Sequence, residues 1–317
     1  MLDILAITTP IFLIIGLGYL ARAGGIIEAA PLQGVGTFVM YFALPALVIR
    51  ALTENPLGEV FDPTYLLAYG GGSLAVFLSG LTLAMTLQRK PLGTGAIQAL
   101  GMSAANSGFI GYPVAAMVVG SQAALFLAMN MLVESLLIIP LALILAELGQ
   151  QAGSGLGKAL RETGRRLVRN PILIGLTVGV LLSATGLSLP SPLTRVIDML
   201  AGAAGPAALF VIGGSLYGLK PKGMVRDIGQ VAVGKLVLHP LAVFGVFLLL
   251  PDVDPTMLTG ALLFACAPMI SVYPLLGRRF GLDDIAAATL MVSTLTSFVT
   301  ISLMLWLIRH VAFLGTS

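Results

Sequence analysis

Ten stretches of the chain are each long and apolar enough to cross a lipid bilayer: about 4–22, 33–52, 64–87, 94–119, 122–147, 171–188, 193–217, 227–250, 256–277 and 284–308. A helix rises about 1.5 Å per residue, so roughly 20 apolar residues span the hydrocarbon core. Inside that core every backbone N–H and C=O must be bonded within the protein, which a helix does along its own length. The pattern predicts an all-α polytopic membrane protein. Composition agrees: 10% of the 317 residues are charged, against about 25% in a soluble chain. Ala21-Arg22-Ala23 loosely resembles a signal-peptide cleavage site. The segment before it carries Asp3 and no Lys or Arg, the wrong sign for a leader, and is read as a retained first span.

Loop charges set the orientation. Arg22, Arg89, Lys90, Lys158, Arg161, Arg165, Arg166, Arg169, Lys220, Lys222, Arg226, Arg278 and Arg279 all fall in loops on one side. That is 13 of the 17 Lys and Arg residues. The opposite loops hold the acidic stretches 54–63 and 251–255. The positive-inside rule makes the basic side cytoplasmic and places both termini outside. Topology therefore accounts for the net charge of +3 without any nucleic-acid partner. The single cysteine, Cys266, excludes an internal disulfide, and two histidines, His239 and His310, cannot form a familiar multi-His metal site. No resident cofactor is expected.

The chain also repeats itself. At an offset of 161 residues Pro10 falls on Pro171, Pro31 on Pro192, Pro45 on Pro206 and Pro113 on Pro274. Tyr112, Gly18 and Gly120 fall on Tyr273, Gly179 and Gly281. This predicts a first five-helix repeat over 1–150, a basic cytoplasmic linker over 151–170 and a second repeat over 171–317. Five spans is an odd number, so the second repeat enters the membrane from the opposite face. Such inverted pairs are common in secondary transporters.

Spans 4 and 9 interrupt themselves at corresponding places. Span 4 carries Asn106, Ser107, Gly108, Gly111, Tyr112 and Pro113; span 9 carries Pro268, Ser271, Tyr273 and Pro274. Gly and Pro are poor helix formers, and Asn is costly in lipid. Irregular backbone at membrane depth survives only where protein or a cavity surrounds it. Paired breaks in the two halves point to a substrate site. The plainer reading is a pair of Pro kinks that shape packing alone.

Other polar residues inside spans are candidates for ion coupling. Asn130 and Glu134 sit four apart in span 5, as do Lys235 and His239 in span 8. Counting along the helices puts Glu134 and Lys235 both roughly 13 Å from the cytoplasmic edge, so the two could pair. A purely structural pair is the alternative. Arg50 and Arg309 lie near span ends and are expected to snorkel. The Ser/Thr face of span 10 (Ser293, Thr294, Thr296, Ser297, Thr300) either ligates an ion or bonds its own helix.

At these residues the sequence resembles the auxin efflux carrier family, which includes plant auxin exporters and bacterial permeases. The marks are the stretch Tyr41-Phe42-Ala43-Leu44-Pro45-Ala46-Leu47, the spacing Asn106-x-x-x-x-Gly111-x-Pro113, Pro268 with Pro274, and the ten-span layout. The resemblance covers nearly the whole chain. It implies a fold like that of sodium/proton antiporters or bile-acid symporters, in which broken spans 4 and 9 cross. Spans 1, 2, 6 and 7 would form a scaffold, also the surface of a homodimer, and spans 3–5 and 8–10 a mobile transport domain. It further implies a bacterial inner-membrane carrier of small carboxylates such as malonate or malate, coupled to H+ or Na+, with Asn106 at the substrate carboxylate.

Three other readings are weighed beside that one. A sodium-coupled symporter of larger amphipathic anions would show stoichiometric sodium dependence. A channel would show no countertransport. An intramembrane enzyme would need a dyad such as Ser215 with His239, but Ser215 lies near a span end and no H-E-x-x-H motif is present. A Walker A motif is also missing, which argues against direct ATP drive.

Overall fold

A computed structural model describes residues 2–54, 61–149, 157, 161, 164–165, 167–187, 189–218, 225–278, 280 and 282–310. Most of the expected linker 151–170 lies outside these residues. So do Lys158, Arg166, Lys220, Lys222 and Arg279 of the basic loops and the middle of the acidic loop 54–63.

The described residues form helices and no strand. Six continuous helical stretches are long and apolar enough to cross a membrane: Ala29–Glu54, Pro63–Thr86, Gln122–Gly149, Ser191–Leu216, Val225–Phe247 and Ile285–Ile308. Four shorter apolar helices accompany them: Thr9–Ala23, Ser107–Val119, Pro171–Thr185 and Pro255–Cys266. Local chemistry explains several boundaries. The Asn170 carboxamide accepts from the N–H groups of Ile172 and Leu173, and Asp254 accepts from Met257. Each cap is followed by proline at the first helical position, where a missing N–H costs nothing. Gly186 ends its helix in the left-handed conformation that favours glycine. Four stretches widen into π turns: Val39–Ala43, Ser107–Gly111, Val133–Ile138 and Gly234–Leu238. Such turns leave a carbonyl out of the regular ladder and concentrate at functional sites.

The packing divides into two compact units. The first comprises Met1–Pro63, Ser107–Met131 and Val168–Gly218; the second comprises Thr64–Asn106, Leu132–Leu167 and Leu219–Ser317. In the first unit, helix Leu2–Ala23 packs on Ser191–Leu216, and Leu44–Glu54 packs on Pro171–Thr185. Glycine makes both contacts close. A Cβ on Gly18 would overlap the Phe210 carbonyl oxygen, and one on Gly179 would lie 3.2 Å from the Ile49 Cα. Adding 161 to 18 and 49 gives 179 and 210, so the two contacts correspond at the sequence's own repeat offset.

The second unit is built on helix Pro63–Thr86, whose Gly72 lies against the Val243 backbone, and on Leu92–Ser103, which packs on Ile139–Gly149. Lys90 and Asp227 form an ion pair at 2.6 Å, and Gln88 donates to Gln230.

Candidate functional site

The second unit contains both ends of an irregular crossing. Helix Leu92–Ser103 stops where Ala104 turns extended (φ −102°, ψ 130°). Helix Pro255–Cys266 stops at Ala267, also extended (φ −62°, ψ 148°). Pro268 explains the second stop, since proline disfavours helix at the residue before it and has no N–H to continue the ladder. The two extended segments pair. Ala105 and Met269 form an antiparallel bridge, and the Asn106 N–H donates to the Pro268 carbonyl at 2.7 Å. Two interrupted helices thus satisfy each other's backbone where water cannot.

Side chains complete the arrangement. The Asn106 Nδ2 donates to Ser271 Oγ at 2.7 Å. Asn106 is 4% exposed. A carboxamide nitrogen carries two N–H groups, and Ser271 takes one. Tyr273 is buried, its ring where a Cβ on Gly101 would collide at 2.8 Å. Pro274 is half-buried in the short helix Tyr273–Arg278.

The two buried charges serve these breaks. The Glu134 carboxylate accepts from the Ala105 N–H at 3.0 Å and from the Tyr69 hydroxyl at 3.3 Å. The Lys235 ammonium donates to the Ala265 carbonyl at 2.7 Å. That carbonyl belongs to the last turn of helix Pro255–Cys266, which has lost its helical donor and carries partial negative charge. A fixed anion therefore holds an N–H of one break, and a fixed cation holds a C=O of the other. Sequence alone put Glu134 and Lys235 at one depth, where the two could pair; Glu134 does act on Lys235 electrostatically, and these bonds also tie each of them to backbone. Lys235 also lies 2.8 Å from His239 Nδ1, while His239 Nε2 meets Ser73 Oγ at 2.8 Å. An ammonium can only donate, so Nδ1 accepts and the neutral ring donates its Nε2–H to Ser73.

The remaining candidates lie in the first unit. Ser107, Gly108 and Gly111 are buried in the π turn that restarts the helix. A Cβ on Gly108 would come within 2.7 Å of the end of the Leu44 side chain, which would have to shift to admit it. Tyr112 and Pro113 line a cavity with Arg50. Asn130 is fully buried on helix Gln122–Leu132.

Sequence reading missed Tyr69 and Ser73. Their signal was available: Tyr65, Tyr69 and Ser73 recur every four residues in an apolar helix and are all fully buried. It gave Arg50 a snorkelling role and no cavity. The hydroxyls of span 10 follow the plainer reading, donating to carbonyls three or four residues back, as Thr294 does to Leu290 at 2.7 Å. Ser215 likewise donates to Val211, and His239 is occupied by Ser73 and Lys235, so the imagined dyad does not form.

Apolar helices that break, pair their backbones and place charged side chains at the break are the build of a membrane transporter. The family described as "Membrane transport protein" matches residues 4–155 and 156–305, and the chain belongs to this family, that of the auxin efflux carriers. A Rhizobium meliloti (strain 1021) protein named "Putative malonate transporter" is 30% identical over 98% of this chain and 97% of its own length. An "Uncharacterized transporter" of Methanothermobacter thermautotrophicus is 26% identical over 93% of this chain and 95% of its own. A mouse "Lysosomal cholesterol signaling protein" is 24% identical over 92% of this chain, which spans 36% of that protein.

Proposed function

We propose that the chain is a secondary transporter that moves a small organic anion, a mono- or dicarboxylate such as malonate or malate, by alternating access. The observation that carries this reading is Asn106: a buried carboxamide at the paired breaks, with one N–H on Ser271 and a second N–H to offer an anion. The malonate relative favours the same substrate class. A neutral donor at the breaks suits a carrier that must release its anion on every cycle, because a fully buried cation in direct contact there would hold it more strongly than a neutral donor there or a half-buried charge elsewhere. The substrate contacts in this reading come from Asn106 to Pro113 and from Pro268 to Pro274. In this reading Glu134 and Lys235 hold the breaks, and together with Asn130 and His239 they couple them to H+ or Na+.

Ten spans in two inverted repeats complete the reading, with spans 1, 2, 6 and 7 as a dimerising scaffold in a bacterial inner membrane. The corresponding contacts of Gly18 and Gly179 favour the repeat. Single cysteines placed in 148–170 are expected to label only from the cytoplasm, and those in 54–63 only from outside. Labelling of both sets from one face would rule out the inverted arrangement.

A symporter of larger amphipathic anions is the competing reading. The cavity at Tyr112 and Pro113 has a volume of about 250 Å³. Sites for drug-sized ligands run to roughly 300–1,000 Å³, so the smaller anion is favoured. The deciding experiment is uptake by purified protein in liposomes, with a panel of carboxylates and imposed pH or sodium gradients. Gradient-driven uptake of malonate or a close analogue is expected. Uptake of bulky anions alone would overturn the assignment.

A further inference from the structure

Two cavities in the first unit share one wall residue, Arg50. The outer cavity, of about 430 Å³, is lined by Thr53, Glu54, Thr194 and Asp198 as well as Arg50. The inner one, of about 250 Å³, is lined by Pro10, Ile14, Tyr112, Pro113, Met117 and Pro206 among others, again with Arg50. Arg50 is the one charged side chain lining the inner cavity, and the Tyr112 phenol is its other polar group. Both acids line the outer cavity and neither lines the inner. The Arg50 guanidinium forms no ion pair with a described residue.

On the inner side, where no acid lines the wall, a half-buried cation facing apolar surface is costly while it lacks a counter-charge there. An anion in the inner cavity would supply one. Guanidinium presents parallel N–H groups that match a carboxylate in two-point contact, which a lysine ammonium cannot reproduce. In the outer cavity Glu54 and Asp198 repel the same anion, so it is held on the inner side. We propose that Arg50 is an anion-selecting residue: its guanidinium binds the carboxylate of a compact organic anion whose apolar part lies against Ile14, Met117 and Pro206. The proposal rests on the organic-anion reading and adds to it a binding group separate from Asn106.

The test is calorimetric binding to full-length protein in lipid nanodiscs. The probes are malonate and propionate, each compared with its neutral amide, malonamide or propionamide. Wild type is expected to prefer the carboxylate. Arg50→Gln is expected to raise the carboxylate Kd about 10- to 100-fold and to leave the amide unchanged, so that the preference collapses. Arg50→Lys should keep part of it. A merely structural Arg50 would weaken acid and amide alike, and an Arg50→Gln protein that keeps the full preference overturns the proposal. Should that variant fail to fold, Gly202→Leu fills the same cavity from a position whose missing Cβ faces open space. It should weaken malonate at least 10-fold, and unchanged affinity overturns the proposal equally. A wild type that binds no carboxylate would instead sink the organic-anion reading itself.

Discussion

Lys235→Met should destabilise the protein more than any neighbouring substitution, by about 3–6 kcal/mol, the sum expected for two buried bonds to a charged group. The side chain is fully buried, and its ammonium serves the Ala265 carbonyl and His239 Nδ1 together. Methionine fills the space but donates nothing. The Ala265 carbonyl then faces the interior unsatisfied at the end of helix Pro255–Cys266, with no cation against its partial negative charge. Glu134→Gln should cost far less. A glutamine oxygen still accepts from the Ala105 N–H and the Tyr69 hydroxyl, so these two bonds outlast the charge. Thermal unfolding in detergent measures both. A Lys235→Met protein that melts with wild type would show that the carbonyl finds another donor and that the break stands without its cation. The double variant adds a second result. If the two charges also sustain each other through the low-dielectric interior, removing both should cost less than the sum of the single losses.

The sequence made the helices legible because lipid leaves an apolar run of about 20 residues few alternatives. The breaks were legible for the opposite reason. Asn106, Gly108, Gly111 and Pro113, and then Pro268 and Pro274, are residues that a continuous apolar helix would not choose. Their joining was not legible in detail. The bonds that matter most are from the Ala105 and Asn106 N–H groups and to the Pro268 and Ala265 carbonyls. These are backbone atoms, which every residue carries alike. The partners of Glu134 and Lys235 were hidden for that reason. Depth counting placed both charges at one level, but it says nothing about the backbone groups that each of them also bonds. The four π turns were hidden as well: Glu134 and Lys235 mark Val133–Ile138 and Gly234–Leu238 as polar sites, but a charge in an apolar helix does not say that the helix widens there. Arg50 shows a further limit. Its place near a span end reads as a snorkelling charge, whereas the inner cavity beside it depends on helices Leu2–Ala23 and Ser191–Leu216, distant in sequence.

Asn106→Ala should weaken anion binding about 10- to 100-fold while leaving the fold intact. The fold survives because the pairing of the two breaks runs through the Asn106 backbone N–H and the Ala105–Met269 bridge, and alanine keeps both. Only the carboxamide goes, and with it the bond to Ser271 and the N–H offered to the substrate. A hydrogen bond to a charged group contributes about 1.5–3 kcal/mol, which converts to that range of affinity. Ser271→Ala separates the two losses. It removes the bond that orients the carboxamide and spares the carboxamide itself, so a smaller fall in affinity is expected. Asn106→Asp is the sharper variant. Nearly isosteric, it replaces the donor by a negative charge set against the substrate's own, and at neutral pH it should bind worse than Asn106→Ala. As pH falls and the new carboxyl protonates, it regains a donor and loses the repulsion, so its affinity should climb relative to wild type at the same pH. Asn106→Ala has nothing to protonate and should show no such climb. Titrating malonate binding to the three proteins between neutral and acid pH distinguishes these outcomes. Wild-type affinity in a folded Asn106→Ala protein would move the anion site away from the paired breaks, and an Asn106→Asp protein that stays weak at every pH would show that a donor at this position does not meet the substrate.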